Sequence, residues 1–121
     1  MKYLLMFVET EQFEKELAAM SPDEQRQAYA RVNDWLAEYA DRITAKSKLQ
    51  PAHTATTVRL DGGEAVVTDG PFVEGKEVVS GVAEVDVADL DEALRMVQSW
   101  PGCPLVEIRP LQAMPPAPTA G

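Results

Sequence analysis

The fold is decided by residues 77–87, which read Glu77-Val78-Val79-Ser80-Gly81-Val82-Ala83-Glu84-Val85-Asp86-Val87. We predict that this run is a β-strand, whose side chains alternate between two faces. One face then carries Val79, Gly81, Ala83, Val85 and Val87, and the other carries Val78, Ser80, Val82, Glu84 and Asp86. Neither face is wholly polar, so both faces of the sheet that contains this strand need cover.

Strands are also predicted on either side of this run. Residues 2–8 are apolar without alternation, which is typical of a strand buried on both faces. Residues 44–60 return as extended chain, and their β-branched end is followed by Asp61-Gly62-Gly63, a hairpin turn signal. The return strand is residues 64–68, and the last strand, residues 105–111, alternates.

The first long helix begins with a capping box. Ser21 precedes Pro22, and Glu24 lies three positions after Ser21, which predicts a helix over residues 22–42. Residues 9–20 before it form a connector with room for a short helix. The apolar stripe of the long helix consists of Tyr29, Val32, Leu36, Tyr39 and Ile43, with Trp35 on its flank.

A second capping box predicts another helix near the C-terminus. Asp89 is the cap, Glu92 lies three positions on, and the helix ends near Trp100. The predicted order is therefore β-α-β-β-β-α-β in one α+β domain over residues 1–111. Residues 112–121 are a Pro/Ala-rich tail that we expect to be disordered.

Two helices can cover only one face of a four-stranded antiparallel sheet. A second copy of the same sheet is the simplest cover for the other face. The architecture therefore predicts a homodimer with twofold symmetry.

Composition narrows the possible partners and the location of the protein. The 121 residues carry 11 basic and 20 acidic side chains, a net charge of −9. Such a surface repels phosphate backbones and anionic headgroups, so we expect no nucleic-acid partner and no membrane partner. The apolar N-terminus reaches Glu9 too soon for a signal peptide or a membrane span, and the cytoplasm is the expected location.

Single copies of cysteine and histidine exclude several kinds of site. With Cys103 alone, the chain has no internal disulfide and no CxxC motif, and with His53 alone it cannot build a two-histidine metal site. We therefore expect neither a metal nor another cofactor. Cys103 as a nucleophile with His53 as base is one hypothesis. A small buried or turn cysteine is the alternative, because no positive neighbour in sequence would lower its pKa.

The run Val67-Thr68-Asp69-Gly70-Pro71-Phe72-Val73-Glu74-Gly75-Lys76-Glu77 strongly resembles the signature of YCII-related proteins of the DGPF type. The opening strand, Leu49-Gln50-Pro51, Thr56-Thr57-Val58-Arg59, Asp89-Leu90-Asp91-Glu92-Ala93 and Glu107-Ile108-Arg109-Pro110 also fit, so the resemblance covers residues 1–111. It implies a ferredoxin-like, dimeric α/β-barrel fold. It implies little about activity: most of the family has no established function. Some distant relatives are enzymes with a His/Asp pair, and some DGPF-type genes neighbour extracytoplasmic-function sigma factors.

One stretch departs from the family pattern. Relatives tend to carry a glycine-rich turn after the first helix, whereas residues 40–47 here read Ala-Asp-Arg-Ile-Thr-Ala-Lys-Ser. A pocket that needs close backbone approach at that turn is not expected in this chain.

Asp69 is the first candidate site residue. In a functional interpretation it is a general base or a ligand anchor at the rim of a sheet pocket. In a structural interpretation its carboxylate caps backbone N–H groups of the loop that begins with Gly70-Pro71-Phe72.

A catalytic dyad of His53 and Asp69 can be tested on the hairpin register. A two-residue Gly62-Gly63 loop pairs Thr56 with Asp69, and directly opposed residues share a face. His53 lies three positions from Thr56, so this register puts it on the opposite face, roughly 10 Å along the strand from Asp69. The register argues against the dyad, although a bulge or a bend at Pro51 would change the geometry.

Other polar residues could line a ligand site near the signature loop. Asp69, Glu74 and Lys76 form the best local cluster for a small polar ligand, and Arg59 and Phe72 are further candidates. Arg59, Lys76, Glu77 and Arg109 come from different strands and form either ion pairs or a grip on an anion.

Two hypotheses follow. The first is a non-catalytic homodimer that binds a small polar molecule or a protein partner, in signalling linked to extracytoplasmic-function sigma factors. The second is a small enzyme that uses acid/base chemistry with Asp69 as general base.

Overall fold

The computed structural model describes residues 1–71 and 75–118. Within these residues the chain forms three α-helices and six strands: β1 (Lys2–Thr10), α1 (Glu11–Ala19), α2 (Pro22–Glu38), β2 (Ile43–Lys48), β3 (Thr56–Arg59), β4 (Val66–Asp69), β5 (Glu77–Asp86), α3 (Leu90–Gln98) and β6 (Leu105–Pro110). Short 3₁₀ turns occupy Ala52–Thr54 and Asp61–Gly63. No helix in the described part of the chain is long and apolar enough to cross a bilayer.

The described strands form two separate sheets. The main sheet is antiparallel and has the order β2-β5-β1-β6, while β3 and β4 form a hairpin of their own. The predicted α+β class and antiparallel sheet are confirmed. The predicted element count is wrong in two respects. The extended segment 44–60 splits into β2 and β3, and the connector 9–20 contains a full helix, α1, capped by the Thr10 hydroxyl.

The capping box at Ser21 is confirmed. The Ser21 hydroxyl accepts from the Glu24 N–H at 3.2 Å, and the Glu24 carboxylate accepts from the Ser21 N–H at 3.0 Å. The predicted end of this helix is wrong, because α2 stops at Glu38 and not at residue 42. The N–H groups of Arg42 and Ile43 both donate to the Tyr39 carbonyl, which turns the chain so that Ile43 can pair with Val85 in the sheet.

The helices pack on one face of the main sheet. Tyr3, Leu5 and Phe7 of β1 are buried there with Ala83 and Val85 of β5, under helix residues that include Trp35, Ala93 and Met96. The intervening β1 residues Leu4, Met6 and Val8 are only half-buried. In a single chain β1 is therefore buried on one face, and the prediction of burial on both faces is wrong.

A bulge interrupts β5 at Ser80. Phe7 pairs with Gly81, but the next residue, Val8, pairs with Val79, so Ser80 is left over in the ladder. Because a shift of one residue exchanges the faces of a strand, Val79 lies on the face opposite Gly81. The prediction that Val79 shares a face with Gly81, Ala83 and Val85 is therefore wrong.

We call the face away from the helices the open face. The register places three rows of side chains on it: Val79–Val8–Leu105, then Val82–Met6–Glu107, then Glu84–Leu4–Arg109. Val79 and Leu105 are each 40% exposed. The row Val79–Val8–Leu105 is therefore wholly apolar. The polar pair Thr10–Glu77 lies beyond it at one end of this face, and charges lie toward the other end.

Cys103 belongs to the core and not to a reactive site. It is 6% exposed, and its thiol donates to the Leu105 carbonyl at 3.6 Å. Burial raises the pKa of the Cys103 thiol above its ordinary value, because the thiolate loses hydration. No hydrogen bond or ion pair joins Cys103 to His53 in the described residues. The buried-cysteine alternative is confirmed over the nucleophile hypothesis.

We expect Ellman's reagent to react with Cys103 much more slowly in the folded protein than in urea. Each unit of raised pKa removes a factor of about ten from the thiolate population. The Cys103 thiol of the unfolded chain ionises at a lower pH than that of the folded chain. Cys103 therefore makes the free energy of unfolding fall as the pH rises from the ordinary thiol pKa through the raised pKa of the folded state. An added thiol at the exposed helix position Ala18→Cys is the control, and equal rates at residues 18 and 103 would contradict the assignment.

Candidate functional site

The residues of the signature sequence begin on a hairpin that stands apart from the main sheet. We call residues 56–69, which comprise β3, the Asp61–Gly63 turn and β4, the hairpin arm. The Leu49 N–H donates to the Ser80 carbonyl at 2.9 Å before the arm, and the Lys76 carbonyl accepts from the Glu11 N–H after it. Among the described elements, β3 and β4 make their substantial contacts only with each other.

The predicted register of the hairpin is confirmed. Thr56 pairs with Asp69, and Thr57 pairs with Thr68. Gly70 follows with a φ of +106°, a conformation that favours glycine over other residues. The Gly70 N–H donates to the Ala55 carbonyl at 2.7 Å, and the Thr57 hydroxyl donates to the Gly70 carbonyl at 2.7 Å. These bonds hold the start of the signature loop against β3.

The Asp69 side chain is exposed at the end of β4. The Gly70 N–H donates to the Ala55 carbonyl and not to Asp69, so capping of the loop N–H groups after Pro71 stays a prediction. Pro71 has no N–H, and Phe72 lies outside the described residues. Within residues 1–71 and 75–118, no hydrogen bond or ion pair of the Asp69 carboxylate is present. Within the described residues, the Asp69 carboxylate is therefore accessible to solvent and to a ligand.

His53 does not form a dyad with Asp69. It lies in the 3₁₀ turn Ala52–Thr54 and is exposed. In the part of the chain that the structure describes, no ion pair or hydrogen bond links the two side chains. The geometry agrees with the register argument against the dyad, and no catalytic role for His53 has support from it.

The remaining predicted ligand residues are spread over different places. Arg59 lies on the arm and forms an ion pair with Asp61 at 3.8 Å, among other interactions. Lys76 is exposed just before β5, and Arg109 forms an ion pair with Glu107 at 3.4 Å on the open face. Arg59 and Arg109 therefore lie in different sheets, and each has an acidic partner on its own strand or turn. Phe72 and Glu74 lie outside the described residues.

The structure also contains a polar groove that the sequence analysis missed. It has a volume of about 500 Å³, lies between the end of α2 and α3, and is lined by Glu38, Tyr39, Asp41, Arg42, Glu92, Arg95 and Met96. The groove is wide open to solvent. Asp41 and Arg42, from the turn after α2, contribute to its lining.

Arg42 organises this groove. Its guanidinium donates to the Glu92 carboxylate at 2.7 Å and to the Asp41 carboxylate at 2.6 Å. The hydrogen bond to Glu92, followed by the charge of Asp41, raises the pKa of Arg42 above its ordinary value. The second capping box is therefore half formed: Asp89 accepts from the Glu92 N–H at 2.9 Å, but the Glu92 carboxylate binds Arg42.

No local sequence signal announces this groove, because Arg42 and Glu92 are far apart along the chain. The Asp89/Glu92 spacing instead favoured a capping role for the Glu92 side chain. The lining carries three acidic side chains and two basic ones, and of the basic ones Arg42 is paired with Asp41 and Glu92. Among the described residues, no group of His, Cys, Asp and Glu side chains is arranged to hold a metal ion.

Comparison with solved structures supports the fold. The chain is similar to 5-chloro-2-hydroxyhydroquinone dehydrochlorinase from Burkholderia phenoliruptrix AC1100, a structure in complex with 2,5-dihydroxybenzoquinone. The TM-score is 0.55, the identity is 12%, and the match covers 93% of this chain and 94% of the other. At this identity the similarity concerns the fold alone, and it confirms the ferredoxin-like architecture.

Comparison with sequences identifies the family. An uncharacterized protein of Rhizobium meliloti (strain 1021) is 37% identical over 81 residues, which are 64% of this chain. The match spans 65% of that relative, just under two thirds of its length. The model of the YCII-related domain matches residues 1–112. The chain therefore belongs to the YCII-related domain family.

Proposed function

We propose that this protein works as a homodimer that binds a small polar ligand beside its signature loop. The observation that carries the proposal is the open face. Its apolar residues Leu4, Met6, Val8 and Val82 are half-buried by their neighbours in the sheet, yet they lie outside the cluster that the helices cover. A contiguous apolar surface of this kind marks an interface.

A second copy of the chain is compatible with the open face in charge as well as in polarity. The open face carries Glu84 and Glu107, but Lys2 pairs with Glu84 at 3.5 Å and Arg109 pairs with Glu107 at 3.4 Å. Glu84 and Glu107 are thus each paired with a basic group within one chain. The net charge of −9 acts mainly at longer range, where salt screens it beyond about 8 Å. With Glu84 and Glu107 paired within each chain, the open faces of two copies can meet in a twofold interface.

The ligand chemistry follows from the two ends of the signature loop. Asp69 offers an exposed carboxylate that accepts hydrogen bonds, and Lys76 offers an ammonium that donates them. Such a pair favours a small molecule that carries both donor and acceptor groups. Both side chains are exposed in one chain, so a wall from elsewhere is needed to enclose the ligand. The link to extracytoplasmic-function sigma factors stays a prediction from the family resemblance.

A second candidate function is acid/base catalysis with Asp69 as general base. The observation in its favour is that the Asp69 carboxylate is exposed and accepts no hydrogen bond within residues 1–71 and 75–118. The structural neighbour is a dehydrochlorinase, which means that this fold can carry an enzyme site. Binding is preferred here because His53 gives Asp69 no support and the groove at Arg42 lies on another part of the molecule.

The dimer is tested with a charge on the open face. We expect the protein to sediment at about twice its chain mass of 13.3 kDa at micromolar concentration, and Leu105→Glu to raise the dissociation constant at least tenfold. The physical reason is that the interface would bury an unpaired carboxylate. Leu94→Glu on α3 is the matched control, since Leu94 is 41% exposed and Leu105 is 40% exposed. A 13.3 kDa species for the unmodified protein would remove the dimer.

The ligand site is tested with Asp69→Asn. A panel of small amines, hydroxy acids and phenols is screened by thermal unfolding, where a compound at 100 times its Kd adds about 2.7 kcal/mol. We expect Asp69→Asn to abolish the shift caused by a hit and to leave the melting temperature of the free protein unchanged. Asp61→Asn on the same arm is the control and should keep the shift.

The same variants separate the two candidate functions. If Asp69→Asn also abolishes chemical conversion of the hit compound, followed by mass spectrometry, the enzyme alternative replaces simple binding. If Asp69→Asn lowers the melting temperature while the hit still binds, then Asp69 has a structural role and the proposed site is wrong.

A further inference from the structure

The hairpin arm exposes more apolar surface than a free two-stranded ribbon can sustain. Val58, Val66 and Val67 are 49%, 53% and 65% exposed, and Leu60 at the end of β3 is 73% exposed. Two-stranded hairpins are at best marginally stable alone in water and need something to pack on. In the described structure these four apolar side chains of the arm stay largely exposed. The arm therefore lacks its cover within one chain.

The two faces of the arm differ in polarity. Opposed residues share a face, so Val58 and Val67 lie together, with the Thr56–Asp69 pair on the same side. The other face carries Thr57 and Thr68, and then Arg59 opposite Val66. Burial of apolar area drives association, so the Val58/Val67 face is the one that packs. Asp69 lies on the same face as Val67, so when this face packs, the Asp69 side chain also faces the surface that the arm contacts.

The segments that lead into and out of the arm leave the main sheet near the apolar row of the open face. β2 ends at Lys48, which pairs with Gly81, and the arm returns to the sheet at Glu77, which pairs with Thr10. The row Val79–Val8–Leu105 lies at this end of the sheet. Both segments that connect the arm to the main sheet therefore leave it near this row, and Val79 and Leu105 of the row are exposed in one chain, like the valines of the arm.

We propose that the Val58/Val67 face of the hairpin arm packs against the second copy of the chain, so that each arm delivers its Asp69 to a ligand site that both copies build. The proposal rests on the homodimer proposed above. It explains why the Asp69 carboxylate is exposed in one chain, since the facing wall belongs to the partner. It also gives the apolar arm and the apolar row of the open face one continuous interface.

The test uses two adjacent valines that point in opposite directions. Val67→Cys and Val66→Cys are each labelled with a benzophenone maleimide and irradiated, and the unmodified protein with its buried Cys103 is the background control. We expect an adduct between two chains from position 67 and at least fivefold less from position 66. Asp69→Cys should give the same adduct between chains, because residue 69 shares the face of residue 67.

A charge on each face gives an independent measurement. Val67→Glu should raise the dimer dissociation constant at least tenfold, and Val66→Glu less than twofold. Should a variant at position 67 fail to fold, Val58→Cys and Val58→Glu replace it, since Val58 pairs with Val67.

The outcomes distinguish this inference from the homodimer itself. If the unmodified protein is a monomer, both proposals fall. The protein can also be a dimer in which labels at positions 66 and 67 give equal adduct yields and Val66→Glu and Val67→Glu raise the dissociation constant equally. In that case the dimer stands and the docking of the arm is wrong. Adducts within one chain, found by peptide mapping, would show that the arm covers its own sheet and would also overturn the inference.

Discussion

The whole structure depends on burying one face of the main sheet under the helices. Leu5 and Val85 have no exposed surface, and they form one buried cluster with Ala83, Trp35 and Met96. The Trp35 N–H reaches the Met96 carbonyl at 2.9 Å, so the one polar group that this indole carries into the core is satisfied by the other helix. Once the helices occupy this face, the opposite face has no cover from them.

The bulge at Ser80 determines what that opposite face looks like. The extra residue is held by two bonds: its hydroxyl donates to the Phe7 carbonyl at 3.2 Å, and its carbonyl accepts from the Leu49 N–H. The bulge turns Val79 onto the open face, where it joins Val8 and Leu105 in one apolar row. The same bonds mark the point where the chain leaves the sheet for the hairpin arm. A local irregularity thus couples the apolar row of the open face with the segment that carries Asp69.

Membership of the YCII-related family and the turn after α2 show how a conserved fold can carry different local chemistry. At residues 40–47 this chain has no glycine, and no residue there needs a left-handed conformation, since positive φ among the described residues occurs only at glycines. The turn is instead closed by bonds to the Tyr39 carbonyl, and it projects Arg42 toward Asp41 and Glu92. These ion pairs are exposed, so their contribution is to the shape of the groove more than to stability.

The sequence by itself determined the local features. The Ser21/Glu24 spacing located the start of α2, the Asp61-Gly62-Gly63 signal located the hairpin, and the paired glycines determined the register of Thr56 with Asp69. Each of these depends on contacts between residues close in the chain, which is why sequence spacing was enough. The signature around Asp69 was enough to place the chain in its family.

Only the tertiary structure decided how these pieces combine. The hairpin could have extended the main sheet, but β2 occupies the edge beside β5, so the arm stands alone. Three features depend on residues that are distant in sequence. The end of α2 depends on the pairing of Ile43 with Val85, and the face of Val79 depends on its pairing with Val8. The partner of the Glu92 carboxylate is Arg42. The alternation rule assumes an uninterrupted strand, but the pairing of β1 with β5 contains a bulge. The capping rule assumes that the Glu92 carboxylate has no other partner, but this carboxylate forms an ion pair with Arg42 from the turn after α2.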